Sequence, residues 1–470
     1  MEAIKSGISS LLLYLLTLSS CTPGAPPPNV VVLLVDDAGY ADFGFMGSED
    51  LETPNLDALA AGGMVFTDAH VSATVCAPSR AGLLTGKYQQ RFGFECNALN
   101  HFQGIDTAEA TIAEVLQRGG YRTGAFGKWH VGDTPEARPP SRGFDYSWTF
   151  LSGARSYFPN EAQDQEGHLK SIRENDQFTT FEGYLTDVLA QKAVAFIDRN
   201  LDQPFFIYWS PNAVHTPMEA TDADLARYQG HPRQKLAAMT WALDRAVGEI
   251  VQKLEAENLL DNTLIFFLSD NGGATNNQST NGPLKGFKGN KYEGGHRVAF
   301  FAHWPAHIPG GQRFDGLTSS LDIFATAVEV SGAQPLDKAY DGVSLLPYFT
   351  GAKTGNPHEK LFWRKEEMAA ARNGAHKMIR VDDLGYRLYD LEADLGETRD
   401  LSRQDSAQLQ TMQQELRSWE AGLIDPRWVE SPEWNDVTWW IHHDLFHNQK
   451  VRAKSPAALK ALGLNRSALQ

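Results

Sequence analysis

Residues 29–37 read NVVVLLVDD: six consecutive Val and Leu residues, opened by Asn29 and closed by Asp36 and Asp37. An unbroken apolar run, without the alternation of a half-exposed strand, suits a strand buried on both faces, as in a parallel sheet. Working outward, Thr53-Pro54 offers an N-cap and a proline for the first helical position. The helix they open carries Leu56, Leu59 and Ala60 on one face and stops at Gly62-Gly63; an extended stretch resumes over 64–66. The alternation continues with a helix over 111–118, a strand over 121–126, an amphipathic helix over 184–199 and a buried strand, PFFIYW, over 204–209. The longest helix is expected over 236–260, with Met239, Leu243, Val247, Ile250 and Leu254 at helical spacing, and the strand LIFFLS follows at 264–269. Strands and helices in alternation predict an α/β fold, a large doubly wound mixed sheet flanked by helices, over residues 29–350.

The pattern changes at GAKTGNP, 351–357. Short extended stretches at 360–364, 377–381 and 386–391 and a helix at 407–423 predict a smaller C-terminal α+β domain over 351–425, built on an antiparallel sheet. The tail, 426–470, holds Trp428, Trp434, Trp439 and Trp440. Such side chains either stack on sugar rings or pack a tail onto the body, and packing is the favoured expectation.

At the N-terminus, Lys5 precedes an apolar run over 8–18 and then Leu18-Ser19-Ser20-Cys21. The run is too short to span a bilayer comfortably and reads as a signal peptide, residues 1–20. Small residues before a Cys resemble the lipobox of bacterial lipoproteins, which implies cleavage before Cys21 and lipidation of its sulfur. TPGAPPP, 22–28, is a stiff extended spacer. The expectation is an exported protein, held by its lipid anchor alone on a bacterial cell or outer membrane, periplasmic or surface-facing. Cys76 and Cys96 then remain, enough for one disulfide. A formal net charge of −16 argues against a nucleic-acid partner. An anionic small substrate is compatible with it only where fixed cations reverse the local field.

Asp36 and Asp37 end the first strand, and Asp270 and Asn271 end the LIFFLS strand ahead of Gly272-Gly273. Ligands of open α/β sheets gather beyond the carboxyl ends of strands. Either pair alone is compatible with a turn or a helix cap. Together, three carboxylates and an amide oxygen make a hard oxygen site suited to Ca²⁺ or Mg²⁺.

The most specific segment is CAPSRAGLLTG, Cys76 to Gly86. A lone Cys usually behaves as a small hydrophobe, but C-x-P-S-R followed by L-T-G resembles the type I sulfatases, the formylglycine-dependent branch of the alkaline-phosphatase superfamily. GKWH at 127–130, PNAVHTP at 211–217, GFKG at 286–289 ahead of EGG at 293–295, and YRLYDL at 386–391 follow in the family's order. The resemblance implies that a formylglycine-generating or anaerobic sulfatase-maturing enzyme oxidises Cys76 to formylglycine (3-oxoalanine), leaving Cys96 a free, buried thiol. It implies a calcium ion held by Asp36, Asp37, Asp270, Asn271 and residue 76. Arg80 and Lys128 would steady the aldehyde hydrate, and His130 would take a proton from its second hydroxyl. His215 and Lys288 would bind the sulfate, one of them protonating the leaving oxygen. Ser152 falls where family members often have a polar pocket residue.

The chemistry requires such a set. A sulfated thiol would have no easy exit, whereas one hydroxyl of a hydrate attacks sulfur and the other expels sulfate as the aldehyde re-forms. The implied substrate is a sulfated carbohydrate. Residues 152–181, with Arg155, Tyr157, His168 and Arg173, are the candidate specificity segment. The competing readings are a phosphonate monoesterase or phosphodiesterase of the same superfamily, and an unmatured glycan-binding surface lipoprotein.

Overall fold

A computed structural model describes residues 26–97, 104–334 and 339–466. The expected signal peptide and Cys21 lie outside the described residues.

The Asn29–Val35 strand sits inside a ten-stranded sheet, buried at every position. It pairs in parallel with Thr263–Ser269 on one side and Phe205–Ser210 on the other, which explains its unbroken apolar run. Alternate side chains feed two cores. Val31, Leu33 and Val35 pack with the helices Leu185–Asp198 and Gln234–Ala256, while Val30, Val32 and Leu34 pack on the opposite face with Cys76–Thr85, Ile112–Arg118 and Asp322–Ser331. Beyond Phe205–Ser210 the sheet continues through Arg122–Lys128 and Tyr146–Phe150, both parallel. Phe300–His303 runs antiparallel on the other flank, so the sheet is mixed, as expected.

Thr111 caps its helix in a reciprocal box with Glu114. Thr53 occupies the expected cap position, but its hydroxyl bonds Asp57 Oδ1 at 3.0 Å instead of capping. The longest helix is Gln234–Ala256, four residues shorter at its end than its periodicity suggests, because Asn258 turns into the left-handed region at φ 57°. The segment 152–181 holds an antiparallel hairpin, Ile172–Glu174 with Gln177–Thr179, that extends the main sheet.

The smaller C-terminal domain is a four-stranded antiparallel sheet: Lys360–Lys365, Met368–Asn373, His376–Val381 and Gly385–Asp390. Helix Ser406–Glu420 covers one face through Met412 and Leu416. The tail covers the other through helix Pro432–Phe446, burying Trp439 and Trp440 against Ile379 and Tyr389. Packing is therefore the role of these two tryptophans. The two sheets are joined by charge: Lys377 meets Glu293 and Glu397, each at 2.9 Å, and Arg372 meets Asp68 at 3.1 Å. Glu293 also lies near His70 and His296 in a metal-sized group. Its oxygens already face Lys377 at 2.9 Å and Arg297 at 3.3 Å, so side-chain cations fill that role.

Candidate active site

Every catalytic or metal-binding residue anticipated within the described chain converges at the carboxyl ends of the central strands. Asp36 and Asp37 follow Val35, Asp270 and Asn271 follow Ser269, and Lys128 ends its own strand. Cys76 is the first residue of a helix and is buried. A cysteine at that position stands where free N–H groups favour an anion.

The ion pairs interlock. Lys128 Nζ lies 2.7 Å from Asp36 Oδ2. Arg80 places Nη2 at 2.7 Å and Nε at 2.8 Å from Asp270 Oδ2, and its Nη1 donates to the Lys128 carbonyl at 3.1 Å. Lys288 Nζ lies 2.6 Å from Asp37 Oδ1 and 3.5 Å from Cys76 Sγ. His215 Nε2 stands 3.5 Å from Asp37 Oδ2. Asp37 and His130 both hold positive φ, 61° and 60°, a conformation that costs non-glycine residues about 1–3 kcal/mol and persists where the surroundings over-determine it.

These three carboxylates face three permanent cations in a nearly dry space. Burial pushes the Asp36 carboxyl up to about 7 despite Lys128. Burial also acts on Asp37, but Lys288, His215 and Lys128 together outweigh it and hold that carboxyl below its ordinary range. His215 is pushed down to about 4 by burial, against the pull of Asp37. Burial and then Lys128 and Arg80 keep His130 well below the usual imidazole range.

The oxygen set fits a hard cation. Asp36, Asp37 and Cys76 bring their ligand atoms within 4.8 Å of one another. Asp36 Oδ1 and Asn271 Oδ1 are buried and accept no hydrogen bond, a costly state that a cation at this point would relieve. Asn271 Nδ2 donates to Asp37 Oδ1 at 2.8 Å, which fixes which amide atom faces away from that bond.

Several supporting residues were not anticipated. Ser210 accepts from Arg80, and Asn97 accepts the Ala77 N–H at 3.1 Å beside Cys76. Asn277 Nδ2 donates to the carbonyls of Asp37 and Val214, both at 3.0 Å. A strand-end position was the available signal for Ser210; nothing local marks the two asparagines. Two expected specificity residues are instead structural. Arg155 is fully buried, bonded to Asp164 at 2.9 Å, and Tyr157 donates its hydroxyl to the His215 carbonyl at 2.8 Å. Arg173 pairs with Asp176, whereas His168 is exposed. At the Ser152 position it is the neighbouring Gly153 that packs on His130: a Cβ there would lie 2.7 Å from the imidazole. Cys96 is a free, buried thiol, pushed up to about 12 by burial.

Asp37, Asn97, His215 and Lys288 open onto a cleft of about 510 Å³ whose far wall comes from the tail. The family model described as Sulfatase matches residues 28–333, the stretch that carries all of this machinery. The chain belongs to the sulfatase family. It is an enzyme of the type I, formylglycine-dependent branch of the alkaline-phosphatase superfamily, a hydrolase of sulfate esters. Among sulfatases, N-acetylgalactosamine-6-sulfatase of Homo sapiens is 34% identical over 379 residues, covering 75% of this chain and 72% of that protein. The solved structure of Ps i-CgsB in complex with k-i-k-neocarrahexaose is 36% identical with a TM-score of 0.82, covering 88% of this chain and 97% of that one. The phosphonate monoester hydrolase of Agrobacterium radiobacter shares the fold, with a TM-score of 0.62, 21% identity and coverage of 84% and 95%.

Proposed function

We propose that this sulfatase removes sulfate from a sulfated carbohydrate, using formylglycine made from Cys76 and a calcium ion. The observation that carries the reading is the meeting of Cys76 with Lys288 at 3.5 Å beside two buried oxygens that lack donors. The carbohydrate part is supported by likeness to N-acetylgalactosamine-6-sulfatase and to Ps i-CgsB with its bound hexaose.

Asp36, Asp37, Asp270 and Asn271 would hold the calcium together with residue 76. Bound there, it supplies Lewis-acid polarisation of a sulfate oxygen. Arg80 and Lys128 keep the carboxylates apart and the site electrostatically balanced, so that the added cation makes it attractive to an anion. One hydroxyl of the hydrated aldehyde forms the new S–O bond as the bond from sulfur to the sugar oxygen breaks. Its proton passes to the Asp36 or Asp37 carboxylate, whose oxygens lie within 4.8 Å of the side-chain atom of residue 76. Lys288 gives the sugar oxygen its proton, since His215 is held neutral with Nδ1 against the Thr216 carbonyl at 2.6 Å and is left to bind the sulfate. His130, whose Nδ1 is buried without a hydrogen bond, takes the proton of the second hydroxyl. The C=O re-forms, sulfate departs, and water restores the hydrate.

The same proposal places the enzyme outside the cytoplasm on a lipid attached to Cys21. The phosphonate or phosphodiester reading has a shared fold behind it, but at 21% identity no more than that. A panel of sulfated saccharides, a phosphodiester and a phosphonate monoester at equal concentration tests the choice. Sulfate release from a saccharide should exceed the other activities by at least about a hundredfold in kcat/KM, a difference of roughly 3 kcal/mol in transition-state binding. Preference for the phosphorus esters would overturn it.

A further inference from the structure

The tail does more than pack. Helix Pro432–Phe446 sends Trp434, Val437, Thr438 and Ile441 into the lining of the cleft that holds Asp37, His215 and Lys288. Those positions are spaced i, i+3, i+4 and i+7, one stripe of a helix. The lower three are buried, but Trp434 is 48% exposed and its neighbour across the rim, Val429, is 66% exposed. Exposed large apolar side chains are few among the described residues, and two of them stand at this one mouth.

The wall is rigid. Ser431 caps the helix, and Asn435 Nδ2 donates to Glu366 Oε2 at 2.7 Å. The Glu430 N–H donates to Glu366 Oε1 at 2.9 Å, and Lys365 pairs with the Glu430 carboxylate. The Lys291 N–H donates to His442 Nε2 at 3.1 Å, pinning the far end of the helix to the catalytic domain. A tryptophan on a helix so mounted has a fixed backbone and only two side-chain torsions left to order on binding. Lys454 is exposed and lines the same cleft, with its ammonium 5.1 Å from the Phe287 ring. An aromatic face with a cation at one mouth matches a sugar ring that bears a further sulfate.

We propose that Trp434 is a specificity-determining residue: a stacking platform for a sugar of the leaving chain next to the one being desulfated, with Lys454 facing that chain's anionic groups. This rests on the carbohydrate reading above. Contacts remote from the reacting sulfur act on the binding of long substrates and leave a short one without them.

The test uses the matured, calcium-loaded full chain and two variants, Trp434→Ala and Trp434→Phe. The substrates are neocarra-oligosaccharides and oligosaccharides containing N-acetylgalactosamine 6-sulfate, each at two and six sugars, with 4-nitrophenyl sulfate for comparison. In the series that the wild type desulfates, Trp434→Ala should raise KM for the six-sugar substrate about tenfold with little change in kcat. The ratio of kcat/KM for six sugars over the aryl sulfate should fall by a similar factor, and Trp434→Phe should restore most of it. An unchanged ratio, or an equal loss on the aryl sulfate that Phe does not rescue, overturns the proposal. A wild type that cleaves the aryl sulfate and no saccharide refutes the carbohydrate reading itself, and does so before any variant is compared.

Discussion

Lys288 places its ammonium between the two halves of the site, 3.5 Å from the sulfur of Cys76 and 2.6 Å from Asp37 Oδ1. Among the described residues, no other cation stands within hydrogen-bond distance of both Cys76 and one of the carboxylates proposed to hold the metal. Lys288→Met keeps most of the side chain's length and bulk and removes the charge and the proton. The expected loss in kcat/KM is roughly 10²–10⁴-fold, the range for a positioned proton donor. A loss below about tenfold would show that the ammonium is not used in the reaction.

Removing the proposed calcium should abolish turnover and leave the fold. Chelation followed by buffer exchange should give inactive protein, and returned Ca²⁺ should restore activity at one ion per chain by elemental analysis. Binding to the folded state alone should also raise the unfolding temperature with calcium concentration. Full turnover in a preparation shown to contain no metal would contradict the oxygen site formed by Asp36, Asp37, Asp270 and Asn271.

Acid stability follows from His442, on the tail helix that walls the cleft. It is buried, accepts the Lys291 N–H at 3.1 Å, and is pushed down to about 3 by burial and by Lys291. The folded protein holds it neutral, whereas the unfolded chain protonates it near the ordinary imidazole value of about 6.5. Its contribution is therefore complete above 6.5 and is lost as pH falls toward 3. The slope approaches about 1.4 kcal/mol per pH unit within that window for one such group. His442→Gln, which keeps an acceptor and cannot charge, should flatten the fall in unfolding temperature between pH 6 and pH 4 (bounds set at about half a unit or more inside that window). An identical pH profile for variant and wild type would count against it.

The proposed lipid anchor is tested by Cys21→Ala. Acyl chains would supply the membrane affinity, so the variant should appear in the soluble fraction while the wild type sediments with membranes. Unaltered sedimentation of the variant would mean that something other than Cys21 holds the protein.

The sequence was most legible where one local pattern had one physical solution. An unbroken run such as Asn29–Val35 has to be buried on both faces, and acids placed directly after it have to sit at the strand end. The strand Met368–Asn373 was not legible: MAAARN has short side chains with weak strand preference, and it is extended because Lys360–Lys365 and His376–Val381 pair with it on either side. Arg155 and Tyr157 looked like substrate contacts because they are large, polar-tipped residues in a long connection. Their burial is decided by Asp164 and by the His215 carbonyl, partners that sequence does not place beside them. The tail's tryptophans showed the same limit. Packing was the expected role and holds for Trp439 and Trp440, but which ring stays exposed depends on the phase of a helix against a sheet elsewhere in the chain.

The central claim is that residue 76 works as an aldehyde. The most direct measurement is the mass of the tryptic peptide carrying it, taken from the same sample whose sulfate release has been timed, after co-expression with a formylglycine-generating enzyme. Replacing –CH₂SH by –CHO lowers the mass by about 18 Da, and the account predicts that turnover scales with the fraction so modified, because the geminal hydroxyl is what releases sulfate. Sustained multiple turnover by protein whose residue 76 is entirely unmodified cysteine would contradict it.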